Sequence, residues 1–114
     1  MDTRAVVDKH LAAIMTSDTE RTLEDYTEDS VLLTAGTVFK GLDSLRAVFG
    51  GAFETLFKPG TFEFTLESHA VDGEYSVITW RLRFEGGEIP FGTDTFHVRD
   101  GKIAMQTGGF YLSA

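Results

Sequence analysis

The chain has 114 residues, 42% of them hydrophobic and ten of them Phe, which suits one folded core and excludes a disordered segment. Ten basic against 18 acidic residues leave a formal charge of −8, which argues against nucleic acid or an anionic membrane as partner, since both reward a basic face. Cys is absent, the N-terminal stretch is charged and amphipathic rather than a signal peptide, and no apolar run approaches transmembrane length; a single soluble, cytoplasmic domain over 1–114 is expected.

Helical periodicity covers about residues 3 to 16, with Val7, His10, Leu11 and Ile14 at i, i+3, i+4 and i+7 on one stripe. His10 stands where an aliphatic residue would be the default. It is either a satisfied core histidine or a polar group in the wall of a cavity. Ser17 and Glu20 make an S-x-x-E capping box for a short second helix, roughly 18 to 26, with Leu23 and Tyr26 facing inward. The acidic cluster Asp18, Glu20, Glu24, Asp25, Glu28 and Asp29, broken by Arg21, reads as a solvated face. A strand at Ser30 to Thr34 and a turn at Ala35-Gly36 lead to an extended piece, Thr37 to Phe39. Gly41 then precedes a third helix, about 42 to 57, whose stripe is Leu42, Leu45, Phe49, Ala52, Phe53 and Leu56. Gly50-Gly51 within it predicts a bend or a close approach to another backbone or a ligand.

After Pro59-Gly60 the chain alternates with period two. Phe62, Phe64, Leu66, Ser68 and Ala70 share one face of a strand, opposite Glu63, Thr65, Glu67 and His69. Ile78, Trp80, Leu82 and Phe84 share a face of the next. Two Asp-Gly turns and a Gly-Gly turn between such runs signal an antiparallel meander. Asp94 lies on the same face as Phe96 and Val98. A carboxylate there is costly unless hydrogen-bonded, paired or protonated, the alternative being a rim position near a strand end. Helices first and strands after predict an α+β fold, with helices packed on one face of a curved sheet.

The order of elements and four passages carry a family resemblance: the first helix ending at Ser17-Asp18, Asp25-Tyr26-Thr27-Glu28-Asp29-Ser30-Val31, Phe39-Lys40-Gly41-Leu42-Asp43-Ser44-Leu45-Arg46, and Phe96-His97-Val98-Arg99-Asp100-Gly101-Lys102-Ile103. Through them the chain resembles the superfamily of nuclear transport factor 2-like, ketosteroid isomerase-like and polyketide cyclase-like domains. The resemblance implies a cystatin-like architecture, in which a cone-shaped, mixed curved sheet wraps around three helices from the N-terminal half. It also implies a homodimer through the open side of the sheet, where Val77 and Thr79 lie among charged neighbours. Steroid isomerases of this group have a Tyr in helix 1, a general-base Asp at the end of the first strand and a protonated Asp on a late strand. By position His10 replaces the Tyr, Thr34 replaces the base and Asp94 matches the late Asp, so dehydratases and cyclases are the nearer chemical match.

His10 and Asp94 are accordingly the candidate catalytic pair. If they meet, Asp94 fixes the tautomer of His10; if they are separated, a protonated Asp94 donates to an oxyanion while His10 moves the proton. Tyr26, Thr34, Phe49, Phe53, Trp80, Phe96, Gln106 and Phe110 are candidate substrate contacts. A two-residue turn at Asp100-Gly101 pairs Thr107 with Asp94, whereas a loop with a Gly bulge pairs Gln106 with it; Gln106 is the expected cavity residue. His69 and His97 fall on the opposite faces and are expected to be exposed. The three His have no metal-ligand spacing and no Gly-rich phosphate loop precedes a helix, so neither metal nor cofactor is expected. The expected function is cofactor-free isomerisation, dehydration or cyclisation of a small hydrophobic carbonyl compound, the alternative being a ligand-holding or dimerisation domain without chemistry.

Overall fold

A computed structural model describes residues 1–113. Helix α1 (Thr3–Met15) starts at Asp2, whose side chain accepts the Ala5 N–H at 2.8 Å, and buries Val6, Val7, His10, Ala13 and Ile14. Helix α2 (Thr19–Leu23) is shorter than the spacing predicts, and its cap is Asp18 rather than Ser17. Asp18 accepts the Arg21 N–H at 3.1 Å, while Ser17 takes a positive φ of 55° and donates its hydroxyl to the Phe57 carbonyl. Helix α3 (Leu42–Glu54) starts after Gly41, and Glu28 reaches across to accept the Leu42 N–H at 3.0 Å. Leu45, Phe49 and Phe53 are its buried stripe. The Gly50-Gly51 pair makes no close approach, because a methyl group added at either position meets open space.

Six strands follow the order β2-β1-β6-β5-β4-β3 in one sheet: β1 (Val31–Thr34), β2 (Thr37–Lys40), β3 (Glu63–Asp72), β4 (Tyr75–Phe84), β5 (Gly87–Arg99) and β6 (Lys102–Ser113). All neighbours are antiparallel except β1 and β6, which run parallel and join the short N-terminal hairpin to the long meander. The result is an α+β fold with a mixed, bulged sheet whose one face carries the three helices. Apolar side chains from both layers form one core, with Val7, Leu45, Ile89, Phe96 and Ile103 among its most buried members. Among the described residues no helix is long and apolar enough to cross a membrane.

Bulges decide which side chains reach the hollow. Leu66 pairs with Trp80 and Ser68 with Thr79, so Glu67 is an extra residue and the alternation of β3 reverses beyond it. His69 therefore pairs with Ile78 and turns toward α1, contrary to the exposure its parity predicts. Arg4 donates to its Nδ1 at 3.2 Å, its Nε2 lies 2.8 Å from the Ser76 hydroxyl, and Asp8 is 3.8 Å away. His97 also departs from expectation. Its ring stacks on Tyr75, with centroids 4.7 Å apart, and its Nε2 lies 3.0 Å from a Glu74 oxygen.

Candidate active site

Between α1, α3 and the concave face of the sheet lies a cavity of about 200 Å³. Leu11, Ile14, Leu32, Val48, Phe64 and Ile78 give it an apolar wall, into which four polar side chains intrude: His10, Thr34, Asp94 and Gln106. Phe49, Trp80, Phe96 and Phe110, four of the candidate contacts, also line it. Phe110, half exposed, marks the open side. Two expected contacts stand elsewhere. Phe53 is buried behind Phe49, with ring centroids 6.4 Å apart, and Tyr26 stands behind Gln106 rather than in the wall. Thr34 does reach the cavity, but its hydroxyl is committed to the Gly108 carbonyl at 2.8 Å.

Asp94 is the centre of a chain of hydrogen bonds. Trp80 Nε1 donates to its Oδ1 at 2.9 Å and Gln106 Nε2 donates to its Oδ2 at 2.8 Å. The Tyr26 hydroxyl in turn donates to Gln106 Oε1. Opposite Asp94 stands Gly108, neither Thr107 nor Gln106, because Ala104 is an extra residue on β6 that shifts the register by one. Gln106 still faces the cavity, since it lies two residues from Gly108 on the same face. Two glycines make this packing possible. A methyl at Gly108 would sit 3.1 Å from Asp94 Oδ2, and one at Gly92 would run into the Trp80 indole at 2.4 Å. Burial raises the Asp94 pKa above its ordinary value, and the Gln106 and Trp80 donors hold that rise back. The Tyr26 phenol is pushed well up, by burial first and then by the Asp94 and Asp25 carboxylates.

His10 belongs to a second cluster. The residue is 2% exposed, and its ring is met edge-on by Tyr26, Phe49 and Phe96, with centroids 5.6, 6.0 and 5.5 Å away. Burial, helped by the charge on Lys9, lowers its pKa to about 3, so the imidazole is neutral at physiological pH. The carboxylate that faces it is Asp25, whose Oδ2 lies 3.9 Å from His10 Nδ1. Asp94 instead spends its hydrogen bonds on Trp80 and Gln106, so the two candidate groups line one cavity as separate units. Asp25 was concealed by its neighbours in sequence. Far from a solvated face, it is 2% exposed, and its Oδ1 accepts from Lys9 Nζ at 2.7 Å. The signal lay in the helical spacing of Thr22, Leu23, Asp25 and Tyr26, all four of which are buried.

A family model described as the SnoaL-like domain matches residues 7–106. The chain belongs to the SnoaL-like family. Solved structures give the same fold. An NTF2-like protein of unknown function from Cytophaga hutchinsonii superposes with a TM-score of 0.78 at 13% identity, over 97% of this chain and 91% of its own. A candidate polyketide cyclase from Sinorhizobium meliloti superposes with a TM-score of 0.76 at 20% identity, over 92% of this chain and 94% of its own. A candidate ketosteroid isomerase from Kribbella flavida gives 0.80 at 17% identity, over 98% and 79%. At these identities the solved structures speak for the fold alone. Among curated proteins no sequence matches the chain.

Proposed function

We propose that this SnoaL-like domain is a cofactor-free proton-transfer enzyme, of isomerase, dehydratase or cyclase type, acting on a small hydrophobic carbonyl compound. One observation carries the reading: an imidazole and a carboxyl group, His10 and Asp94, intrude as separate units into one apolar cavity, where burial disfavours the charged form of each. In this reading the neutral imidazole accepts a proton and Asp94, entering the step protonated, gives one, which is the pairing that enolisation needs. His10 takes the proton from carbon beside the carbonyl, and the electron pair moves to the carbonyl oxygen. Asp94 donates to that oxygen, and the carboxylate left behind is held by the Trp80 and Gln106 donors. The enol then takes the proton held by His10 at another carbon, expels a hydroxyl group that leaves with that proton as water, or attacks a second carbonyl whose oxygen takes it. In each case the enol hydroxyl returns its proton to Asp94 as the carbonyl reforms. The cavity is smaller than the roughly 300–1,000 Å³ of drug-sized sites, so the substrate is compact. Its wall of Trp80, Phe49, Phe96 and Phe110 suits a flat or conjugated ring.

The test is exchange of α-hydrogens for deuterium in a panel of small cyclic ketones, followed by proton NMR in D2O. Exchange catalysed by the wild type and lost in both His10→Ala and Asp94→Asn supports the reading, and a His10→Ala variant with full exchange rejects it.

One observation favours a second reading, a pocket that holds a ligand without transforming it. Thr34, at the position where the resemblance places a general base, has a hydroxyl committed to backbone and no acid–base capacity. Ligands that raise the melting temperature yet show no exchange would establish that reading. A second copy of the chain on the open sheet face, where Tyr75 and Val77 are exposed, is the proposed partner; light scattering tests it.

A further inference from the structure

The two buried side-chain polar atoms that lack a hydrogen bond among the described residues are His10 Nδ1 and Asp25 Oδ2, and they face each other at 3.9 Å. Such a pair is unusual, because buried polar groups are almost always satisfied. Both atoms are sealed from solvent, and the gap exceeds an ordinary hydrogen bond of about 2.9 Å by roughly 1 Å. A small shift of the imidazole closes it, and hydrogen bonds of this kind often tighten only when a site is occupied.

The alternatives at this contact are unequal. A carboxylate oxygen can only accept. If Nδ1 carries the ring proton, the two atoms complete each other; if Nδ1 is bare, two lone pairs confront each other at a contact sealed from solvent. The remaining ring nitrogen, Nε2, is not among the sealed, unsatisfied atoms, and His10 lines the cavity. Asp25 is itself anchored. Lys9 Nζ holds its other oxygen at 2.7 Å, and its carbonyl accepts the Ile103 N–H at 2.7 Å, which ties it to the start of β6.

We infer that Asp25 is a positioning residue: it fixes His10 as the Nδ1–H tautomer, so that Nε2 meets the ligand as a bare acceptor. This rests on the reading of His10 as the proton acceptor and deepens it. In the transfer step a proton arrives at Nε2, the imidazole becomes imidazolium, and the Asp25 carboxylate stabilises the new charge through the Nδ1–H. Asp25 touches neither ligand nor reacting atom. The site then selects ligands that bring a hydrogen-bond donor or an acidic C–H to His10. Its opposite pole at Asp94 is where a carbonyl oxygen sits.

Adjacent side chains thus support both poles. Asp25 backs His10, and Tyr26 backs Gln106 and through it Asp94.

The tautomer is read directly by two-bond nitrogen–proton correlation NMR on the ligand-free, 15N-histidine-labelled protein at pH 7. His10 is assigned by the signal that disappears in His10→Gln. The expected result is a protonated Nδ1 and a bare Nε2 in the wild type. In Asp25→Leu, checked for folding by near-UV circular dichroism, the population moves to Nε2–H. A wild-type spectrum with Nε2 protonated overturns the inference, whether or not the variant folds. So does an Asp25→Leu protein that folds and keeps Nδ1–H. Because the measurement needs neither substrate nor turnover, it can fail while the exchange assay succeeds, or succeed while that assay fails.

Discussion

Asp94 and Asp25 bracket the same cavity, and the protein treats them in opposite ways. Asp94 has both oxygens bonded to neutral donors, one of which is itself held by Tyr26. Asp25 is more deeply buried, yet it has a cation on one oxygen and an empty place on the other. An unsatisfied buried acceptor costs about 1–3 kcal/mol, so a fold that keeps one has a use for it or a partner that moves into place. The Asp94 cluster is a finished frame that fixes one carboxyl group. The Asp25 cluster is a frame with its last bond still open, and the group at that bond is the imidazole in the cavity wall.

The most severe way to break the comparison is to remove the titratable group from the finished frame. Asp94→Asn retains the size and an oxygen that can accept from Trp80, but it cannot exchange a proton. It is expected to cut the rate of deuterium exchange by about 100- to 10,000-fold, the usual worth of a general acid or base. Ligand-induced thermal shifts should persist. An equal loss of binding would show that Asp94 organises the pocket rather than reacting in it.

The open frame is tested next by acid. His10 has a folded-state pKa of about 3 against 6.5 in the unfolded chain, so between these values the unfolded chain holds the extra proton. Stability should therefore fall as pH drops from 6.5 toward 3, by up to about 1.4 kcal/mol per pH unit from this residue. Asp94 works in the opposite sense. Its folded-state pKa is raised above 3.8, so its contribution is present at low pH and is lost as pH rises through that window. Urea unfolding of His10→Gln between pH 4 and 7 is expected to show a flatter acid limb than the wild type. An unchanged limb would mean that another group carries the acid lability.

How much of this was legible depended on whether the signal was local. The α+β order was readable because periodicity changes from 3.6 to 2 at Pro59-Gly60. The inward face of Asp94 was readable because its neighbours Phe96 and Val98 share its parity. His69 was misplaced because Glu67, an ordinary exposed residue, is the bulge that reverses the parity beyond it. The same blindness hid Gly108, since Ala104 gives no hint that the register shifts there. Asp25 was hidden for a different reason. In a run of six acidic residues one buried carboxylate looks like its neighbours until Lys9 and His10, more than a dozen residues earlier, are brought beside it.

Packing around Asp94 offers a third test. Gly92→Ala would push a methyl into the indole of Trp80, and the indole is too large and too enclosed to yield freely. The expected cost is about 1–3 kcal/mol, as for other overpacked cores, measured by chemical denaturation. The shifted indole should also lose its bond to Asp94 Oδ1, which removes one of the two donors restraining the Asp94 pKa. A further rise in that pKa, followed by carboxyl carbon NMR, separates this from simple overpacking.

Tyr26→Phe should have the smallest effect and is the most discriminating. It leaves the ring that meets His10 edge-on and deletes only the hydroxyl that donates to Gln106 Oε1. Losing that bond should cost about 1 kcal/mol of stability. The Gln106 amide, now unrestrained, can turn its oxygen toward Asp94, and two facing acceptors favour a protonated carboxyl group. Asp94 should therefore titrate at higher pH in the variant, while the His10 tautomer stays as in the wild type, because Asp25 alone governs it. A change confined to Asp94 would show that the two clusters act independently. A change at both would show that the dipeptide Asp25-Tyr26 couples them, moving as one piece behind the cavity.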